Sequence, residues 1–141
     1  MPDRLEVSAC ATRLRLLIDF VARVCQVRGV PLSTQHRAEL LVEELFANTL
    51  LHGGVTDTDA KVRLTIEETD GTLRMDYEDP GRPFDPTGPT PPAPGVPAED
   101  IPIGGAGLRI IQALAQDIGY ERRDGLNRVT LRVMGPRGRL F

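Results

Sequence analysis

The sequence predicts an α+β domain, a two-layer sandwich with three helices covering one face of a mixed, mostly antiparallel sheet. Three observations carry this prediction. Two pairs of segments alternate apolar and polar residues, each pair around an Asp-Gly dipeptide. Three further segments place apolar residues at helical spacing. The length of 141 residues, 40% of them hydrophobic, suits one core and a single domain over 1–141.

Each element has its own warrant. Leu5-Glu6-Val7-Ser8-Ala9 alternates as a short strand. Leu14, Leu17, Ile18, Val21 and Val24 then give one apolar face to a helix that stops at Gly29. Pro31-Leu32-Ser33 restarts the chain with Ser33 as N-cap, and a second helix runs to His52 before Gly53-Gly54 ends it. Segments 62–66 and 73–77 alternate around Asp70-Gly71, whose residues accept the positive φ of a two-residue hairpin turn. Between 80 and 102 lie nine of the twelve prolines, and apolar side chains nearly vanish. Loops of that length in a small domain tend to be lids, binding loops or disorder, and its position between two candidate site motifs favours a lid, here about 82–106. Gly104-Gly105-Ala106-Gly107 opens a third helix marked by Leu108, Ile111, Ala115 and Ile118. Segments 120–123 and 128–133 make a second hairpin around Asp124-Gly125, and 135–141 read as a loose tail.

Composition narrows the function. A formal net charge of −3, with 16 arginines and one lysine scattered along the chain, gives no basic face for nucleic acid. No stretch reaches the ~18 apolar residues of a membrane span, and the N-terminus lacks the pattern of a leader, so a cytoplasmic protein is expected. Cys10 and Cys25 have no metal-ligand spacing and are expected to be two buried free thiols.

Four segments carry candidate chemistry. In the second helix, Glu44, Asn48 and His52 recur at intervals of four, each step advancing about 40° around the axis, so they form one stripe shared with Leu41 and Leu45. Glu43 and Glu39 point to the opposite side. A carboxylate and an amide in an apolar setting need partners, and a metal ion bearing phosphates would supply them. Mg²⁺ takes oxygen ligands and keeps several waters and phosphates, so the Asn48 amide oxygen is an adequate anchor, and Glu44 one turn earlier is placed to deprotonate an attacking hydroxyl. The stripe alone also fits a buried polar triplet satisfied by backbone and water. Asp79-Pro80-Gly81, at a strand end, can accept a hydrogen bond from the exocyclic amine of adenine, although it also fits an ordinary turn. Glycines 104, 105 and 107 lead into a helix whose N-terminal N–H groups favour phosphate, and a flexible linker would account for them equally. Asn127-Arg128-Val129-Thr130 starts the final strand, where an inward Thr130 hydroxyl would reach the base. His52 at a helix end caps carbonyls, His36 lies on an exposed first turn, and Arg109 is solvent-facing but near the glycine loop.

In this order the four segments resemble the boxes of the GHKL superfamily of ATP-binding domains, named for gyrase, a heat-shock chaperone, histidine kinases and MutL. Glu44-x-x-x-Asn48-x-x-x-His52 is similar to its N-box, Asp79-x-Gly81 to the G1 box, Gly105-x-Gly107-Leu108 to the G2 box, and 127–130 to the final box. Size and the Glu44 to His52 run most resemble the bacterial anti-sigma serine/threonine kinases of the RsbW and SpoIIAB type. The resemblance implies a Bergerat fold that binds ATP and Mg²⁺ beneath a lid. It implies Asn48 as the Mg²⁺ ligand, Glu44 as general base, Asp79 on the adenine amine, Gly81, Gly105, Gly107 and Leu108 along the nucleotide, and Thr130 at the base. Such proteins bind a sigma factor or a STAS-domain antagonist, phosphorylate a serine of the antagonist, and are commonly dimers. Two other readings stay open: an ATP/ADP-gated binding module without catalysis, and a histidine-kinase-type catalytic module acting in trans.

Overall fold

In the computed structural model the described residues are 2–52, 60–87 and 105–135. The chain forms β1 (Asp3–Ser8), a 3-10 turn (Ala11–Arg13), α1 (Leu14–Val27), α2 (Leu32–His52), β2 (Lys61–Thr69), β3 (Thr72–Asp79), α3 (Gly105–Leu114), β4 (Asp117–Arg123) and β5 (Leu126–Val133). The expected stop at Gly53-Gly54, Gly104, most of the expected lid and the end of the tail lie outside the described residues.

Both Asp-Gly dipeptides close hairpins. Asp70 and Gly71 have φ of 51° and 83°, Asp124 and Gly125 have 53° and 78°, and two successive positive values define the turn whose twist matches paired strands. The sheet order is β1-β2-β3-β5-β4. Every neighbouring pair is antiparallel, which corrects the expected mixed sheet. The reason is topological: β4 runs in the same direction as β3 but takes the outer edge, and β5 folds back into the gap between them.

Alternation fixes which face is covered. Val7, Val62, Leu64, Ile66, Leu73, Met75, Tyr77, Val129, Leu131 and Val133 are all buried on one side of the sheet. Against them pack Leu17, Val21 and Val24 of α1, Leu41, Leu45 and Phe46 of α2, and Ile111 of α3. Each such side chain contributes about 1.5–3 kcal/mol by leaving water. Helix α2 is central, touching α1, α3, β3 and β5. Helix α1 ends as the sequence expects: Gly29 at φ 70° lets its N–H reach Gln26 O (3.3 Å) and the Val30 N–H reach Cys25 O (2.9 Å), closing a Schellman motif.

Three local expectations change. Helix α2 begins at Leu32, so Ser33 lies inside its first turn rather than capping it. Helix α3 ends at Leu114, and Ile118 belongs to β4. Glu39 is half-buried and accepts a hydrogen bond from Gln35 at 2.9 Å, whereas Glu43 is exposed as expected.

The open face of the sheet is charged. Register aligns Glu6, Arg63, Glu78, Arg128 and Glu121 in one row across all five strands, with signs alternating at each step. Within it Arg63 pairs with Glu6 at 2.9 Å and Glu78 at 3.6 Å, while Arg128 leans to Asp76 at 3.5 Å. No helix among the described residues is long and apolar enough to cross a membrane.

Candidate functional site

A pocket opens where α2 crosses the ends of β3 and β5. Its floor and walls are Leu45, Asn48 and Thr49 from α2, Tyr77 and Asp79 from β3, and Asn127 and Val129 from β5. Arg82, Phe84 and Pro86, from the strap that follows Asp79, close the remaining side. The enclosed space is about 10 Å³. Ligand pockets enclose roughly 300–1,000 Å³, so with the strap in this position the pocket does not admit a base.

Asp79 is the centre of the polar part. It is 7% exposed and surrounded by donors: the Gly81 N–H at 2.7 Å and Asn127 Nδ2 at 3.1 Å to Oδ1, and the Thr49 hydroxyl at 3.0 Å to Oδ2. Three donors compensate for burying a carboxylate. The Tyr77 hydroxyl lies 2.6 Å from Thr49 Oγ1. The one Thr49 hydroxyl proton has two acceptors within reach, Asp79 Oδ2 at 3.0 Å and Leu45 O at 3.1 Å, and the phenol supplies the proton between Tyr77 and Thr49. Burial raises the Tyr77 pKa well above its usual value, with the Asp79 charge adding to it and the Thr49 hydrogen bond opposing it, so the phenol stays protonated.

Asn127 ties the strap to the sheet. Its Nδ2 donates to Arg82 O at 2.7 Å, and its Oδ1 accepts from Tyr120 OH at 2.6 Å and Phe84 N–H at 3.3 Å. Arg122, beside it on β4, donates to Gly81 O at 2.6 Å. From α3, Gln112 donates to Pro86 O at 2.9 Å, joining the strap to the helix that the glycines open.

Asn48 is 4% exposed, and its Nδ2 has no partner among the described residues. A buried amide left in this way costs about 1–3 kcal/mol. It retains capacity for a new partner: its N–H for a phosphate oxygen or, turned about, its oxygen for a divalent cation. That chemistry fits a metal–phosphate group. Among the described residues no group of three or more His, Cys, Asp or Glu is gathered to hold a metal. Glu44, one turn before Asn48, is half-buried, and its carboxyl pKa is raised first by burial and then by the Glu43 charge.

The structure therefore brings Asn48, Asp79 and the backbone of Gly81 to one place, with Glu44 a turn away on the same helix. Gly105, Gly107 and Leu108 occupy the first turn of α3. The expectation of an inward Thr130 is not met. Thr130 alternates with the buried Val129 and Leu131 and so lies on the open face, where its hydroxyl donates to Asp76 at 2.8 Å. The residues that sequence reasoning passed over are Thr49 and Asn127. For Asn127 a signal existed: Val129, Leu131 and Val133 mark the odd positions of β5 as inward, which places 127 inside and 130 outside.

A small polar pocket between a helix layer and an antiparallel sheet, floored by a buried aspartate and edged by an asparagine whose Nδ2 has no partner among the described residues, points to an ATP-binding domain of the histidine-kinase type. Residues 7–133 match the histidine kinase-like ATPase domain, and the chain belongs to that family. It is similar to the serine/threonine-protein kinase BtrW of Bordetella bronchiseptica, at 26% identity over 129 residues, 92% of this chain and 91% of that protein. The RsbU and RsbW domains of a Mycobacterium tuberculosis protein superpose with a TM-score of 0.69 at 17% identity, over 96% of this chain. A blue-light activated histidine kinase of Erythrobacter litoralis gives 0.51 at 24% identity over 74%. At those identities the two structures speak to the fold alone, and the chain spans about a third of each, 32% and 31%.

Proposed function

We propose that this protein is an ATP-dependent serine/threonine kinase of the anti-sigma type, which transfers the γ-phosphate of ATP to a serine of a STAS-domain antagonist. The observation that carries the reading is the buried Asn48, whose Nδ2 has no partner among the described residues, one turn from half-buried Glu44 and at the wall of the pocket that ends at Asp79. Support also comes from the kinase to which the chain is similar over nearly its whole length.

In this reading Asp79 accepts the adenine amine, and Gly81 lets the ring approach the backbone. Gly105, Gly107 and Leu108 lie along the phosphates beneath a lid of about 82–106. Asn48 would hold Mg²⁺, which when bound neutralises developing phosphate charge. Glu44 accepts the proton of the attacking serine hydroxyl, and its raised pKa makes it a better base than an exposed carboxylate. One domain over 1–141, a cytoplasmic location, a sigma factor as second partner, transcriptional regulation as the outcome and homodimer formation belong to the same proposal.

The test is to mix purified chain, MgATP and a candidate STAS-domain protein from the same organism and map phosphoserine by mass spectrometry. Transfer that disappears with Glu44→Gln is expected. A stoichiometric complex with no transfer overturns the kinase assignment and leaves a nucleotide-gated binding module.

A further inference from the structure

We propose that Leu40 and Leu51, on the exposed stripe of α2 that carries Glu44, form the surface on which a protein phosphoacceptor docks. The proposal rests on reading the chain as a kinase with Glu44 as its base. Five large apolar side chains are exposed among the described residues: Leu16, Val27, Leu32, Leu40 and Leu51. A single exposed leucine needs no explanation. Leu40 and Leu51, 37% and 57% exposed, differ from the rest by where they stand.

Helical geometry sets that place. At about 100° per residue, Leu40 lies about 40° and Leu51 about 20° from Glu44 around the axis of α2, both to the same side. Half-buried Ala47 falls in the same stripe, and its short side chain leaves the way to Glu44 low between the two leucines. Asn48 lies on the other side of Glu44, at the wall of the pocket. Leu32 belongs to the same helix but points about 120° away from Glu44. Along the axis, Leu40 stands about 6 Å before Glu44 and Leu51 about 10 Å after it, at about 1.5 Å per residue.

The position of the base says what covers this stripe. A carboxylate takes a proton only from a hydroxyl within about 2.6–3.2 Å, so an acceptor that reaches Glu44 lies against α2 at this point. The two leucines are about 16 Å apart, further than a small alcohol spans. A protein partner covers about 800 Å² on each side of a standard interface, and a footprint centred on Glu44 takes in both leucines. Apolar side chains at the centre of a footprint and charge at its rim are the usual composition. Here the rim charge is Glu43, which is exposed and close enough to act on the Glu44 carboxyl. The surface fits a folded protein that presents a serine between two apolar side chains, with a basic side chain toward Glu43.

The test is steady-state phosphoserine formation by the full chain with MgATP, at varied concentration of the candidate STAS-domain protein. Leu40→Gln and Leu51→Gln remove the apolar surface without adding charge beside Glu44. Each is expected to raise the KM for that protein about tenfold or more, while kcat at saturation and the Kd for MgATP stay within about twofold. Leu40→Met and Leu51→Met keep an apolar side chain of similar volume and should restore the KM. Leu32→Gln is the control, an exposed leucine of the same helix that faces elsewhere, and should leave the KM unmoved. Gln variants with an unmoved KM, a KM that rises equally in Leu32→Gln, or a loss confined to kcat or to MgATP binding each overturn the proposal. If the unaltered protein transfers no phosphate, the kinase reading falls, and calorimetric binding of the STAS-domain protein to the same variants judges the surface by itself. An affinity that neither Gln variant lowers, or no binding at all, then overturns it.

Discussion

Asn127 stands directly opposite Asp79 in the antiparallel β3–β5 pair and donates to its Oδ1 at 3.1 Å. This cross-strand contact joins the last residue of β3 to the second residue of β5 on the helix-covered face. The strap following Asp79 is then pinned to the same amide, so the carboxylate and the closure over it share one anchor.

Replacing Asp79 by Ala strips an acceptor from three buried donors at once. A stability loss of about 1–3 kcal/mol is expected in urea denaturation, with ATP affinity down at least about tenfold by calorimetry. Unchanged stability together with unchanged affinity would contradict the role given to this side chain.

Glu44→Gln removes the proposed base while keeping shape. Phosphoryl transfer should fall by about 10²–10⁴ with ATP affinity little altered. In the unaltered protein the base works only when deprotonated. Its pKa is raised by burial and by the Glu43 charge, so transfer should decline at a higher pH than an exposed glutamate would give. Stability follows the opposite sign: the folded chain binds this proton more tightly than the unfolded one, so across the same window Glu44 contributes stability as pH falls. A rate profile together with melts of both proteins, followed as pH is lowered from neutral through the titration of Glu44, checks both directions.

Asn48→Ala deletes a buried amide whose Nδ2 has no partner, so the nucleotide-free protein should lose less stability than an ordinary core truncation of about 2–5 kcal/mol. The upward shift in Tm that MgATP gives the unaltered protein should disappear. Differential scanning calorimetry with and without MgATP separates the two effects.

The two thiols should react very differently. Cys25 is 0% exposed, and burial, aided by the Glu39 charge, pushes its pKa up to about 11. Cys10, expected from sequence to be buried, is instead partly exposed beside the short 3-10 turn, and its hydrogen bonding with Thr12 lowers its pKa. A disulfide reagent at neutral pH should label one thiol quickly in the native state and two only after unfolding.

The elements that could be read from sequence are those whose chemistry is local. Asp-Gly pairs dictate their own turns, and Gly29 its own helix stop, because only backbone conformation is at stake. Ile118 misleads because Ile111, Ala115 and Ile118 keep helical spacing across a helix end that Ala115-Gln116-Asp117 does not announce. Asn48 stands out as a polar group in an apolar run, and Asp79 by the Pro-Gly that follows it at a strand end. Thr49 does not, since nothing on its own helix distinguishes it until β3 brings Asp79 and Tyr77 within hydrogen-bond reach. The Thr130 expectation shows how a strand punishes a parity error: moving by one residue exchanges the two faces.

The row of alternating charge across the uncovered side of the sheet has a consequence for encounter. Each positive group in it is flanked by negative ones, so beyond a Debye length, about 8 Å in physiological salt, little potential survives. That side neither beckons nor repels a charged protein approaching from solution, and long-range guidance has to arise from other parts of the surface.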